Sequence, residues 1–104
     1  MKPAVATNPV WEGEMRSAFG RLRPGEAILK VNLYSAGWYV KQNELTAVPE
    51  YRQYGAWIGA RRADGTCRIY SLDAFQTYVG GGNFGPSDYR IDSTSGREIL
   101  CENI

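Results

Sequence analysis

Histidine is absent from this chain of 104 residues, so any chemistry must come from Cys67, Cys101, scattered carboxylates, arginines and aromatic rings. Histidine alone has an unperturbed pKa between about 5 and 8, which makes it the usual general base, nucleophile activator and metal ligand. Its absence excludes Ser-His-Asp and Cys-His nucleophiles, two-histidine ribonuclease chemistry and His-bearing zinc sites within the chain. The acidic residues Glu12, Glu14, Asp64, Asp73, Asp88, Asp92, Glu98 and Glu102 contain no DxD or ExxE arrangement to hold a divalent ion. Asp92 and Glu98 would meet across a C-terminal hairpin, and there they read as solvated surface. Cys67 and Cys101 belong to no CxxC pair and read as small core residues; spacing alone does not decide whether they bond. Gly80 to Gly85 is glycine-rich enough for a phosphate cradle. It follows an expected helix, however, where phosphate loops precede one, and it lacks the GK[ST] signature. No catalytic residue, cofactor or metal is expected, and the chain is read as a non-enzyme.

Arginine and aromatic residues are what remain. Nine of the twelve basic residues are arginine, and seven tyrosines accompany three tryptophans. A guanidinium offers a planar donor fork to carboxylates, phosphates and ring faces, and Trp, Tyr and Arg dominate interface hot spots. Asp64-Gly65 marks a two-residue hairpin turn between Tyr54–Arg61 and Thr66–Tyr70. That register sets Arg61 opposite Arg68 and Gly59 opposite Tyr70. One face then carries Ile58, Ala60, Cys67 and Ile69, and the other carries Trp57, Arg61, Arg68 and Tyr70. Like charges directly opposite are unfavourable, by up to roughly 1 kcal/mol, unless an anion sits between them. The expected binding residues are therefore Trp57, Arg61, Arg68 and Tyr70, with Asn83 and Phe84 inserting from the glycine-rich loop.

The elements that must position them follow from periodicity. Met1–Thr7 reads as a loose tail. Asn8-Pro9 opens a helix whose apolar stripe is Trp11, Met15, Phe19 and Leu22, stopped by Pro24-Gly25. Glu26–Tyr34 alternates as a half-buried strand, with Trp38–Gln42 as its hairpin partner. Asn43–Gln53 reads as an irregular connection because of Pro49. Ser71 caps a second helix carrying Leu72, Phe75, Tyr78 and Val79, ended by Gly80. Asp88–Asp92 and Arg97–Glu102 form the final hairpin, Ile91 facing Ile99. The expected fold is one α+β domain, an antiparallel sheet of five to six strands with two helices on one face.

A net charge of +1 argues against a general DNA-coating role. No apolar run approaches the ~20 residues of a membrane span, and nothing resembles a signal peptide, so a soluble cytoplasmic protein with reduced cysteines is expected. A small sheet with helices on one side cannot bury all of Trp38, Tyr39, Tyr51, Tyr54, Trp57 and Tyr70, which leaves an aromatic patch for a partner. The leading expectation is a protein-binding module, whose partner is another protein or protein complex. Small phage and plasmid proteins, anti-CRISPR and antirestriction factors among them, have this general character, which suggests an inhibitor of a host complex. The alternative is single-stranded nucleic-acid binding on the aromatic and arginine sheet face. A homodimer is compatible with either.

Overall fold

The computed structural model describes all 104 residues: one α-helix, a six-stranded antiparallel sheet and a C-terminal turn of 3-10 helix. Helix α1 (Pro9–Leu22) starts as its sequence dictates. Asn8 Oδ1 accepts the Trp11 amide at 3.1 Å, and Glu12 reaches back to the Asn8 amide at 2.8 Å. Two of the helix's orphan donors are satisfied, while proline at the first position lacks one to satisfy.

The strands are β1 (Ala27–Leu33), β2 (Tyr39–Gln42), β3 (Pro49–Arg61), β4 (Cys67–Gly80), β5 (Asn83–Ile91) and β6 (Arg97–Ile99). The long β3–β4 hairpin forms the centre. Tyr39–Gln42 is a strand as expected but pairs with β3, end to end with β1. The expected β5–β6 hairpin does not form either: both strands lie end to end along β4, so Asp92 does not face Glu98.

The two edges solve the same problem in the same way. Between β1 and β2 the chain bulges out opposite Gly55, and between β5 and β6 opposite Ser71. In the first bulge the Tyr34 amide donates to the Gly55 carbonyl at 3.0 Å and the Gly55 amide donates to Ser35 Oγ at 3.1 Å. In the second, the Asp92 amide donates to the Ser71 carbonyl at 2.9 Å and the Ser71 amide to Ser95 Oγ at 3.1 Å. A serine hydroxyl thus replaces the ladder carbonyl that each bulge removes, as a buried amide requires.

The second expected helix is absent. Ser71–Gly80 continues β4, because the whole segment finds a partner in β3: Leu72 pairs with Ala56, Ala74 with Tyr54 and Gln76 with Arg52. Its apolar residues fit helical spacing, but its aromatic and β-branched content suits a strand, and pairing on both sides outweighs local propensity. Gly80 is therefore no helix stop. Gly81 and Gly82, with φ of 61° and 78°, form the two-residue turn of the β4–β5 hairpin, a conformation open to glycine.

The central register also differs from expectation by one residue. Arg61 pairs with Cys67 and Ala60 with Arg68. The loop has three residues: the Gly65 amide bonds the Arg62 carbonyl at 2.9 Å, and Gly65 takes φ 89°. Asp64 Oδ1 accepts the Thr66 amide and hydroxyl at 2.9 and 2.7 Å. A type I turn closed by a left-handed glycine spares Asp64 the positive φ that a two-residue turn demands. One residue of slip exchanges the faces of one strand against the other.

The core lies between α1 and one face of the sheet: Met15, Ala18, Phe19, Val31, Leu33, Tyr54, Ala56, Ile58, Ala60, Tyr70, Leu72 and Ala74 are buried. Trp11 stacks on Tyr54 with ring centroids 4.1 Å apart, and Phe19 packs on Tyr70 at 5.3 Å. A helix of 14 residues is about 21 Å long, whereas a strand of 13 spans about 43 Å. The helix can cover only half the sheet. The molecule is accordingly drawn out, 49 × 26 × 24 Å, with a radius of gyration of 15.0 Å where about 13 Å is usual.

On the far face, Cys67 and Cys101 form a disulfide with Cα atoms 5.2 Å apart, contrary to the reduced thiols expected. The bond holds the turn Cys101–Asn103 over the sheet, and Ile104 packs against Gly59, where any side chain would collide with it. Met1–Thr7 is tied down as well. Asn32 Nδ2 donates to the Lys2 carbonyl at 2.8 Å, and the Val5 amide donates to the Leu33 carbonyl at 3.0 Å. No helix is long and apolar enough to cross a membrane.

Candidate binding surface

The register change separates the four residues expected to share a face. Tyr70 belongs to the core beneath α1, 3% exposed, its hydroxyl donating to Glu26 at 2.8 Å. Arg68 lies on the same helix side, half-buried, and Nη1 donates to the Gly96 carbonyl at 2.8 Å. Trp57 and Arg61 point to the far side. Arg61 is exposed, and Trp57 is half-buried beside Tyr34, ring centroids 5.3 Å apart. No anion is needed between Arg61 and Arg68, since they are no longer opposite. Asn83 and Phe84 sit at the other end of the sheet, Asn83 exposed and Phe84 half-buried.

Phe84 belongs to a surface that also takes in Trp38, Tyr39 and Tyr51, expected only as aromatic residues too many to bury, and Arg52 and Gln76, which sequence reasoning did not single out. Beyond α1, the strand segments Tyr39–Gln42, Pro49–Gln53, Phe75–Gly80 and Asn83–Ser87 form a four-stranded ribbon, which the helix touches at its near end, where Trp11 meets Trp38 edge-on at 5.3 Å. On the helix side the Arg52 guanidinium lies between two rings, 4.1 Å from the Trp38 centroid and 4.3 Å from that of Phe84. Arg52 Nε donates to Gln76 Oε1 at 2.8 Å, and Gln76 Nε2 donates to Ser87 Oγ at 3.0 Å, a polar row across three strands. Tyr78 packs on Phe84 at 5.3 Å. Arg52 has no carboxylate partner; the ion pairs are Arg62–Glu26 and Arg90–Asp88.

The far side of the ribbon repeats the chemistry more loosely. Tyr51 meets Phe75 edge-on at 5.7 Å, and Arg90, paired with Asp88 at 2.8 Å, lies 5.2 Å from the Phe75 ring. Tyr39 and Val79 are exposed on that side, 56 and 66%, whereas Val40, 39% exposed, pairs with Arg52 and so belongs to the helix side. Two signals in the sequence mark this surface: Gly81-Gly82 as a hairpin turn, and Pro49 as a strand's first residue, a position that requires no amide donor.

Buried phenols lock the junction between ribbon and core. Tyr54 donates to Glu14 at 2.5 Å, and Tyr34 to Asp73. Burial first, and these carboxylate partners second, hold both hydroxyls well above the ordinary phenol range. Both therefore act as fixed donors at neutral pH.

No family model, curated protein or solved structure matches this chain.

Proposed function

We propose that the protein is a binding module acting by contact, with the ribbon beyond α1 as the surface that meets another protein. The reading rests on one observation: the Arg52 guanidinium lies 4.1 Å from the Trp38 ring centroid and 4.3 Å from that of Phe84, on the part of the sheet beyond α1. The two rings and the Nε bond to Gln76 restrict this side chain before any partner arrives, which lowers the ordering cost that a hot-spot Arg must meet. A module of this kind works by occupying a partner's surface; a phage- or plasmid-borne inhibitor of a host complex is one case of it. The Cys67–Cys101 bond bears on the cytoplasmic setting expected from the sequence. It persists best in an oxidising compartment, and in the cytoplasm the working form would be the reduced one.

The test is affinity capture from extracts of the source cell, with Arg52→Ala, Phe84→Ala and Val79→Glu alongside the parent. A stoichiometric protein partner lost in these variants, with each variant still folding cooperatively, is the expected result. Recovery of no such partner, or retention by all three variants, overturns the reading. The same variants decide the nucleic-acid alternative: it requires oligonucleotide binding that weakens with salt and with Arg52→Ala.

A further inference from the structure

The face opposite α1 carries a cleft of about 610 Å³, a volume usual for small-ligand sites. Trp57, Ile69 and Ile99 give it apolar walls, and Lys2, Arg97 and Asp92 bring charge to it. It lies at the covered end of the sheet, apart from the ribbon, and its reading is independent of the one above.

The hydroxyls in the cleft are engaged. Ser71 Oγ meets the Tyr34 hydroxyl at 3.2 Å, Ser95 Oγ donates to the Asp92 carbonyl at 2.6 Å, and Thr94 Oγ1 donates to Asp92 Oδ1 at 2.8 Å. Of the cations, the Met1 ammonium donates to the Asn103 carbonyl at 2.6 Å, which leaves Lys2 and Arg97 uncommitted. Neither Lys2 nor Arg97 has a carboxylate within ion-pair distance, and the Lys2 ammonium stands 5.8 Å from the Trp57 ring centroid. A negative group is thus called for beside a flat apolar surface. Asp92 limits how negative that group can be: the Thr94 amide and hydroxyl hold its carboxyl below the usual range, so it stays charged and opposes a dianion.

We propose that this cleft binds an aromatic monocarboxylate, its ring on Trp57 and Ile69 and its carboxylate between Arg97 and Lys2. A free acid and the C-terminal residue of a peptide present the same chemistry to these groups.

The experiment titrates the intact protein with indole-3-propionate and with the peptide Gly-Gly-Trp, each beside its amide, followed by amide and indole NMR shifts. Saturable shifts at the Trp57 indole and along residues 69–71 and 92–99 are expected for the acids and not for the amides. Arg97→Gln should weaken binding about tenfold, the ordinary value of a charged hydrogen bond, and Trp57→Leu should weaken it comparably. Tighter binding of the free acid identifies a small metabolite as the source, and tighter binding of the peptide identifies a chain terminus. Absence of saturable shifts with both acids, equal binding of acids and amides, or binding unaffected by Arg97→Gln and Trp57→Leu overturns the proposal.

Discussion

The half of the sheet beneath α1 and the half beyond it are built from the same two strands, yet they carry opposite kinds of side chain. On the helix side of β3 and β4, the covered half presents Ala56, Ile58, Ala60, Leu72 and Ala74, all fully buried. Along the same faces the uncovered half presents Arg52, Gln76 and Tyr78. Small residues let a helix approach closely; amphipathic ones hold a flat surface together in water and still offer area to a partner. The ribbon is therefore no core waiting for a second helix. Its side chains are those of a surface stable in water, as the proposed contact role requires of it.

The sharpest way to break this contrast is to truncate one phenylalanine in each half. Phe19→Ala removes a fully buried ring resting on Tyr70 and should cost about 3–5 kcal/mol, enough to threaten folding. Phe84→Ala removes a half-buried ring from Arg52 and Tyr78 and should cost about 1 kcal/mol. Urea unfolding midpoints compare the two directly. Equal losses would mean that the ribbon is core after all.

A somewhat smaller effect separates the ends of the far face. The Cys67–Cys101 bond closes a loop across 34 positions, which in the chain-entropy account stabilises by about 3–4 kcal/mol. Replacing both cysteines by serine should lower stability by up to that amount. Hydrogen exchange should then quicken in β6 and the C-terminal turn, near the bond, while the β4–β5 hairpin of the ribbon keeps its protection relative to global stability. Loosening that begins in the ribbon would contradict the independence of the two ends.

How much of this was legible beforehand depends on the range of the interaction. The first helix could be read because Asn8, Pro9, Glu12 and the stripe through Phe19 act within a few turns. The α+β class and the antiparallel sheet were legible for the same reason. The second helix was misread because Leu72, Phe75 and Tyr78 satisfy helical spacing, and only the distant partners Tyr51–Ala56 make the segment a strand. The site suffered most from a single residue: reading Asp64-Gly65 as a complete turn set the register off by one and put Tyr70 beside Trp57, when the sheet lies between them. Composition showed that aromatic rings and arginines are plentiful, and the structure gathers several of them on the ribbon. Its address required knowing where α1 ends against strands twice its length.

The two bulges offer the finest comparison, because each has an aspartate whose ionisation responds to folding in the opposite sense. Asp73, beside the first bulge, accepts the Tyr34 hydroxyl, yet burial outweighs that bond and raises its carboxyl above its ordinary 3.8. As pH rises past 3.8, the unfolded chain releases this proton while the folded chain keeps it, so stability falls until the raised folded value is passed. Asp92 opens the second bulge, and the Thr94 amide and then its hydroxyl lower its carboxyl. Its contribution is present above 3.8 and is lost as pH falls through the lowered folded value. Asp73→Asn keeps an acceptor for Tyr34 and should remove the decline on the rising side, leaving the variant relatively more stable near neutrality than in acid. Asp92→Asn should instead remove part of the acid-side loss. Urea midpoints from about pH 3 to about pH 7 resolve the two slopes. An Asp73→Asn profile parallel to that of the parent would show that burial does not govern this carboxyl, and that the two bulges are electrostatically alike.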